Sequence, residues 1–309
     1  MNIGLRLLGS GLVLVGLAAA GCARRHAPVE RVQVSNVSAI RTAFGGSQVE
    51  TVAAPATIAE PTGWATIRGT FKIDGTPPPR ATLKADKEPH ICAPGGKSPL
   101  SEEIVVDPAT GGIKDIVIYL TGPHKKFPAG DPKWEHPDYV AKANAEPEFD
   151  QKACVFKTHM MAFRSPQKLK ILNSDPTGHN TKIKGGGRAK PDNISVAANS
   201  YTNYEPGGES PEPFDVSCSI HPWMSAWMIV RDSPYFAVTK PDGTFEIANV
   251  PAGVELEFRV WQEKSRFITS ATVNGKQETW PKGRVKIPPL TDGQPLALDV
   301  TVKAEVFAK

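Results

Sequence analysis

The stretch 254-VELEFRVW-261 sets Val254, Leu256, Phe258 and Val260 in alternation with Glu255, Glu257 and Arg259. A period of two is the mark of a β-strand with one buried and one wetted face, because successive side chains point to opposite sides. The pattern returns in 296-LALDVTVK-303, where Leu296, Leu298, Val300 and Val302 take the apolar positions. Upstream, 114-KDIVIYL-120 is apolar almost without a break, which predicts a strand buried on both faces. Asp242-Gly243 and Asn274-Gly275 are hairpin signals, since Gly and Asn tolerate the positive φ of such turns. Further strand-rich blocks are 64-WATIRGTFKIDGTPPP-79, 167-QKLKILNSD-175 and 214-FDVSCSIHPWMSAWMIVRD-232. No amphipathic helix of useful length interrupts them. The expectation is an all-β protein built of sandwiches.

Composition points the same way. The 309 residues are 40% hydrophobic, enough for one large or two modest cored domains. The 27 Gly and 29 Pro exceed average usage and favour turns and short strands over long helices. A net charge of +4 without a basic stripe gives no reason to expect a nucleic-acid partner. Between Gly122 and Phe149 prolines, charges and aromatics mix, which reads as a long surface connection.

At the N-terminus, Arg6 precedes an apolar run from Leu7 to Ala20, too short to span a bilayer comfortably. The run ends in Ala19-Ala20-Gly21-Cys22, which resembles a bacterial lipoprotein cleavage box, although such boxes more often carry Leu where Ala19 stands. The resemblance implies a signal peptide over 1–22 and a lipid on Cys22 that anchors the mature chain to a membrane. Plain secretion is the alternative, and either route leads to the periplasm or cell envelope. Residues 23–63, rich in Ala, Val, Ser, Thr and Pro, read as a flexible tether. With Cys22 set aside, Cys92, Cys154 and Cys218 remain, an odd number for an oxidising compartment. One disulfide and one metal-held thiolate account for all three, with Cys92–Cys154 as the expected pair and Cys218 left over.

Cys218 lies in 216-VSCSIHPWM-224, where Cys218, His221 and Met224 follow one another at three-residue intervals. A thiolate, an imidazole and a thioether suit copper, and the missing second imidazole has a candidate in His179, which follows a strand and a turn in 171-ILNSDPTGHNTKI-183. Given the abundance of these residues, about 0.0015 matches to C-x2-H-x2-M arise by chance. Zinc fits less well, because it rarely takes methionine and no second cysteine lies nearby. Asn180 is placed to tie the two ligand segments together by hydrogen bonds, and Trp223, between two ligands, to cover the site. Met224 rather than Met228 is the expected thioether, by spacing.

Cys218-Ser-Ile-His221-Pro-Trp-Met224 and Asn173-Ser-Asp-x3-His179-Asn180 resemble the ligand segments of the cupredoxins, the blue copper proteins. The resemblance covers roughly residues 145–232, is specific at the four ligand positions, and lacks the family's usual glycine before Gln167. It implies a Greek-key β-sandwich, one type 1 copper held by His179, Cys218, His221 and Met224, and one-electron transfer rather than enzyme catalysis. It also implies that His221 is the ligand nearest the surface, and that the partner is a redox protein such as a cytochrome or a copper enzyme.

A second resemblance lies in 69-GTFKIDGTPPP-79 and 235-YFAVTKPDGTFEIANVPAGVELEFRV-260, which look like the two halves of a carboxypeptidase regulatory-like (transthyretin-like) β-sandwich. One layout this implies is a small sandwich split between 64–122 and 233–309, with the copper module at 123–232 inserted. Two consecutive domains behind an N-terminal hairpin is the other. Where residues 66–73 pair separates the two.

Elsewhere the residues read plainly. His159 with Met160 and Met161 is expected in core or surface roles, because neighbours in a strand face opposite ways. His26, His90, His124 and His136 fall in polar or proline-rich segments and read as solvated. The run 185-GGGRAK-190 lacks the P-loop pattern and reads as a flexible loop. No C-x-x-C-H, G-x-S-x-G or H-E-x-x-H motif occurs. An envelope electron carrier is the leading expectation, with an envelope binding or scaffold protein holding a structural or copper-handling site as the alternative.

Overall fold

The computed structural model describes residues 58–308. The expected signal segment 1–22, the lipidation site Cys22, His26 and most of the expected tether lie outside the described residues. Among those described, nineteen strands carry the fold. The first nine are β1 (Gly63–Asp74), β2 (Val117–Gly122), β3 (Glu148–Lys152), β4 (Val155–Phe156), β5 (Met160–Arg164), β6 (Leu169–Asn173), β7 (His179–Ile183), β8 (Asp192–Val196) and β9 (Ser200–Tyr204). They are followed by β10 (Phe214–Ser217), β11 (Ser225–Arg231), β12 (Phe236–Val238), β13 (Thr244–Ala252) and β14 (Leu256–Gln262). The last are β15 (Arg266–Phe267), β16 (Ser270–Val273), β17 (Lys276–Thr279), β18 (Arg284–Ile287) and β19 (Pro295–Lys303). Two four-residue helices accompany them, α1 (Pro89–Cys92) and α2 (Pro137–Val140), and among the described residues no helix is long and apolar enough to cross a membrane.

The strands form four sheets: β13-β1-β19-β16-β17, β12-β2-β14-β15 with β18 also on β14, β5-β11-β10-β7-β8, and β4-β3-β6-β9. The first two enclose one apolar core and make an outer sandwich; the last two enclose another and make an inner one. A third cluster joins them, where Val117, Tyr119 and Trp261 of the outer sandwich meet Met160 and Ile229 of the inner. The unbroken apolar run in β2 follows from this position. Ile118 and Leu120 enter the outer core while Val117 and Tyr119 face the inner sandwich, so neither face meets water. At the same junction Arg231 Nη2 donates to the Leu120 carbonyl at 3.0 Å, and Arg164 Nη1 pairs with buried Glu135 at 2.6 Å.

Residues 66–73 lie in β1, which pairs antiparallel with β13 and parallel with β19. The outer sandwich is therefore made from chain on both sides of the inner one, with β2 and β12 paired where the chain leaves and returns. Asn274 (φ 45°) and Gly275 (φ 81°) form the tight hairpin between β16 and β17. Asp242-Gly243 also turns tightly, but its flanking strands join different sheets, so it makes a corner rather than a hairpin.

Three segments differ from the sequence reading. The stretch after Gly122 is no surface connection: Phe127 and Trp134 are buried in the outer core, and α2 follows them. Its many prolines hide the apolar spacing that a regular element would show. Ala85, Cys92 and Ala93, upstream of β2, pack in the inner core instead of the outer one. The 185–190 run forms an ordered turn, with a bridge between Gly186 and Ala189 and Arg188 bonded to Asp232 at 2.5 Å.

Candidate metal centre

The inner sandwich brings β7 and β10 together as antiparallel neighbours, with Ser217 opposite Lys182. His179 opens β7 and Cys218 follows directly on β10, so both stand at one end of the same sheet. From Cys218 the chain makes a tight loop, closed by Met224 N–H to the His221 carbonyl at 2.9 Å and Cys218 N–H to the Met224 carbonyl at 3.3 Å. Asn180 ties loop to strand, as its Oδ1 accepts from Ser219 N–H at 2.8 Å, from Ile220 N–H at 3.3 Å, and from the Cys218 thiol at 3.4 Å.

Three donors converge here. His179 Nδ1 lies 2.9 Å from His221 Nδ1, and Cys218 Sγ lies 3.9 Å from His221 Nδ1. All three residues are buried, and their donor atoms lie within 4.8 Å of one another. Met224, 1% exposed, sits beside Cys218 in the inner core. Met228 lies four positions further along β11, about 13 Å away by strand rise, opposite Phe214.

The far nitrogens explain why the near ones face inward. His179 Nε2 lies 2.8 Å from Asp175 Oδ2, and His221 Nε2 lies 3.0 Å from Glu88 Oε2. Asp175 also accepts the backbone N–H groups of Ala153 at 2.6 Å and Cys154 at 2.8 Å, so it is a carboxylate that can only accept. A carboxylate at each Nε2 favours the hydrogen there, which leaves each Nδ1 directed toward the other. Two lone pairs at 2.9 Å repel unless a cation or a proton stands between them. Burial lowers the proton affinity of His179, but the bonds to Cys218 and Asp175 override it and hold its pKa above the ordinary value. Burial likewise pushes the Cys218 thiol up, yet bonding to His179, Asn180 and His221 prevails and brings it down to about 6. A thiolate and two inward Nδ1 atoms, with a buried thioether beside them, suit a soft or borderline metal ion such as copper.

Cys92 and Cys154 form a disulfide with an S–S distance of 2.02 Å, and Cys218 is the free cysteine among the described residues. Trp223 is half-buried, stands edge-on to His221 at 5.2 Å, and donates its indole N–H to the Cys154 carbonyl at 3.0 Å. With Met224 it also lines a cleft of about 250 Å³. His221 departs from the expectation drawn from the cupredoxins. It is 0% exposed, because the segment around α1 lies over the edge that the resemblance placed at the surface. Asp175 and Glu88 were not assigned a role from sequence; Asp175 stands four residues before His179, but nothing local points to Glu88. His159 is buried among Glu263, Glu102 and Asp115, and Met160 and Met161 enter different clusters.

No protein-family profile matches the chain, and no curated protein matches it by sequence. Solved structures similar to part of it include a reduced Cu(I) form of a point mutant of amicyanin. That comparison has 14% identity over 28% of this chain and 84% of the other, with a TM-score of 0.25. Amicyanin from Paracoccus versutus is 16% identical over 28% of this chain and 82% of its own, with a TM-score of 0.24. A Cu-containing nitrite reductase from Thermus scotoductus is 13% identical over 28% of this chain and 22% of its own, with a TM-score of 0.25. At these values the likeness is a local one. None of these neighbours supports the transthyretin-like resemblance of the outer sandwich.

Proposed function

We propose that the protein is a one-electron carrier of the bacterial cell envelope, with one copper held by His179, Cys218, His221 and Met224. The observation that carries this reading is the pair of inward Nδ1 atoms 2.9 Å apart beside the Cys218 thiol. When bound, copper at such a donor set supplies a Cu(II)/Cu(I) couple. The chain's part is to hold the donors in one arrangement. Asp175 and Glu88 fix the two imidazoles, Asn180 fixes the Cys218 loop, and the inner core around Met224 keeps water out. A cage fastened on every side reorganises little between oxidation states, which favours fast transfer over chemistry on a substrate. The redox partner in this reading is a cytochrome or a copper enzyme, and the membrane anchor is a lipid on Cys22.

Loading the protein with Cu(II) is expected to give an intense blue thiolate-to-copper band and the matching EPR signal. Cys218→Ser should abolish both. A wild-type protein that stays colourless when fully loaded would defeat the proposal. The complete burial of His221 favours a second reading, an envelope-anchored binding or scaffold protein whose centre stores or handles copper. Reversible electron exchange with a cytochrome separates them, since a storage site does not show it.

A further inference from the structure

The segment Lys87–Cys92 lies across His221 and is fastened at several points. Both Glu88 carboxylate oxygens accept from the Thr177 hydroxyl, at 2.8 and 3.0 Å, and Oε2 also faces His221 Nε2 at 3.0 Å. Lys87 Nζ donates to the Ile220 carbonyl inside the ligand loop at 2.7 Å. At the other end of α1, Cys92 is bonded to Cys154, whose backbone N–H donates to Asp175 behind His179. One covalent link thus joins the supports of both imidazoles. Glu88 itself takes φ +46°, a left-handed conformation uncommon for a glutamate and found where surroundings impose it.

We propose that Glu88 is a positioning residue of the metal centre. It holds His221 with Nε2–H outward and Nδ1 toward Cys218 and His179, and it adds a negative charge that favours the more highly charged state of a bound metal ion. The inference rests on the copper reading and adds to it a residue 133 positions from His221, the counterpart of Asp175 behind His179. Carboxylates behind ligating histidines are worth about 10–100-fold in metal affinity.

Two variants of the full chain test this. In the metal-free protein, nitrogen NMR reads which His221 nitrogen bears the hydrogen: Nε2 in the wild type, with that preference lost in Glu88→Ala and unchanged at His179. A His221 tautomer that does not respond to Glu88→Ala overturns the positioning role. Glu88→Gln keeps the shape and removes the charge. It is expected to lower Cu(II) affinity relative to Cu(I) about tenfold, a rise of about 59 mV for a one-electron couple. An unchanged potential overturns the role of the charge. A wild-type protein that binds no copper sinks the electron-carrier reading and, with it, the role of the charge, while the tautomer measurement still decides the positioning role.

Discussion

Cys218 shows what a single buried group gains from its neighbours. Its thiol comes down to about 6 against an ordinary value of 9.0, because His179, Asn180 and His221 together outweigh burial. In the metal-free protein the ultraviolet thiolate band should therefore titrate near pH 6, and His179→Gln should move it upward; a band that appears only above pH 8 would contradict the geometry. The folded state sheds this proton before the unfolded chain does, so the group's contribution is complete above the unfolded value and is lost as pH falls through about 6. His179 runs the other way, its contribution present in acid and lost as pH rises through its raised pKa. The convergence of Cys218, His221 and His179 was legible in the sequence, because donors of one loop keep a fixed spacing and a turn precedes His179. Glu88 was not, since a support contributed from another part of the chain leaves no local pattern.

Among the elements, β5 and β14 show how the two sandwiches are held together. His159 precedes β5 and Glu263 follows β14, and the two are hydrogen-bonded at the junction. Burial works against the charge on His159, but the Glu263 bond and charge prevail and its pKa is raised. Glu263, also opposed by burial, is lowered through His159. The pair therefore stabilises most between the two titrations. The histidine's share is lost as pH rises through its raised value, and the glutamate's as pH falls through its lowered one. Glu263→Gln should cost about 3 kcal/mol in denaturant unfolding at neutral pH, with the deficit shrinking in alkali. A deficit that does not vary with pH would remove the ion pair from the account. At this scale the regular strands were legible, because β2, β14 and β19 carry their burial in their alternation or in its absence. Connections were less so. Asp242-Gly243 and Asn274-Gly275 have similar turn chemistry, yet one makes a corner and the other a hairpin, since a turn fixes local φ and not the sheet that the next strand joins.

Across the whole molecule, β1 ties together chain that is distant in sequence. It lies between β13 and β19, and Gly69 meets β19 so closely that an added Cβ would stand 1.9 Å from the Leu298 carbonyl oxygen. Gly69→Ala should force these strands apart and destabilise the protein by about 2 kcal/mol, with both sandwiches unfolding together because the β2 sheet packs on both. Unchanged unfolding midpoints for Gly69→Ala would show that the close approach carries no weight. The parallel run of β1 beside β19, from Thr66 next to Pro295 to Asp74 next to Lys303, also has a mechanical side. Tension drawing Gly63 backwards and Lys303 forwards slides one strand along the other, so all the bonds between them resist at once instead of unzipping in turn. Pulled from those two ends, the protein would behave as a clamp loaded in shear.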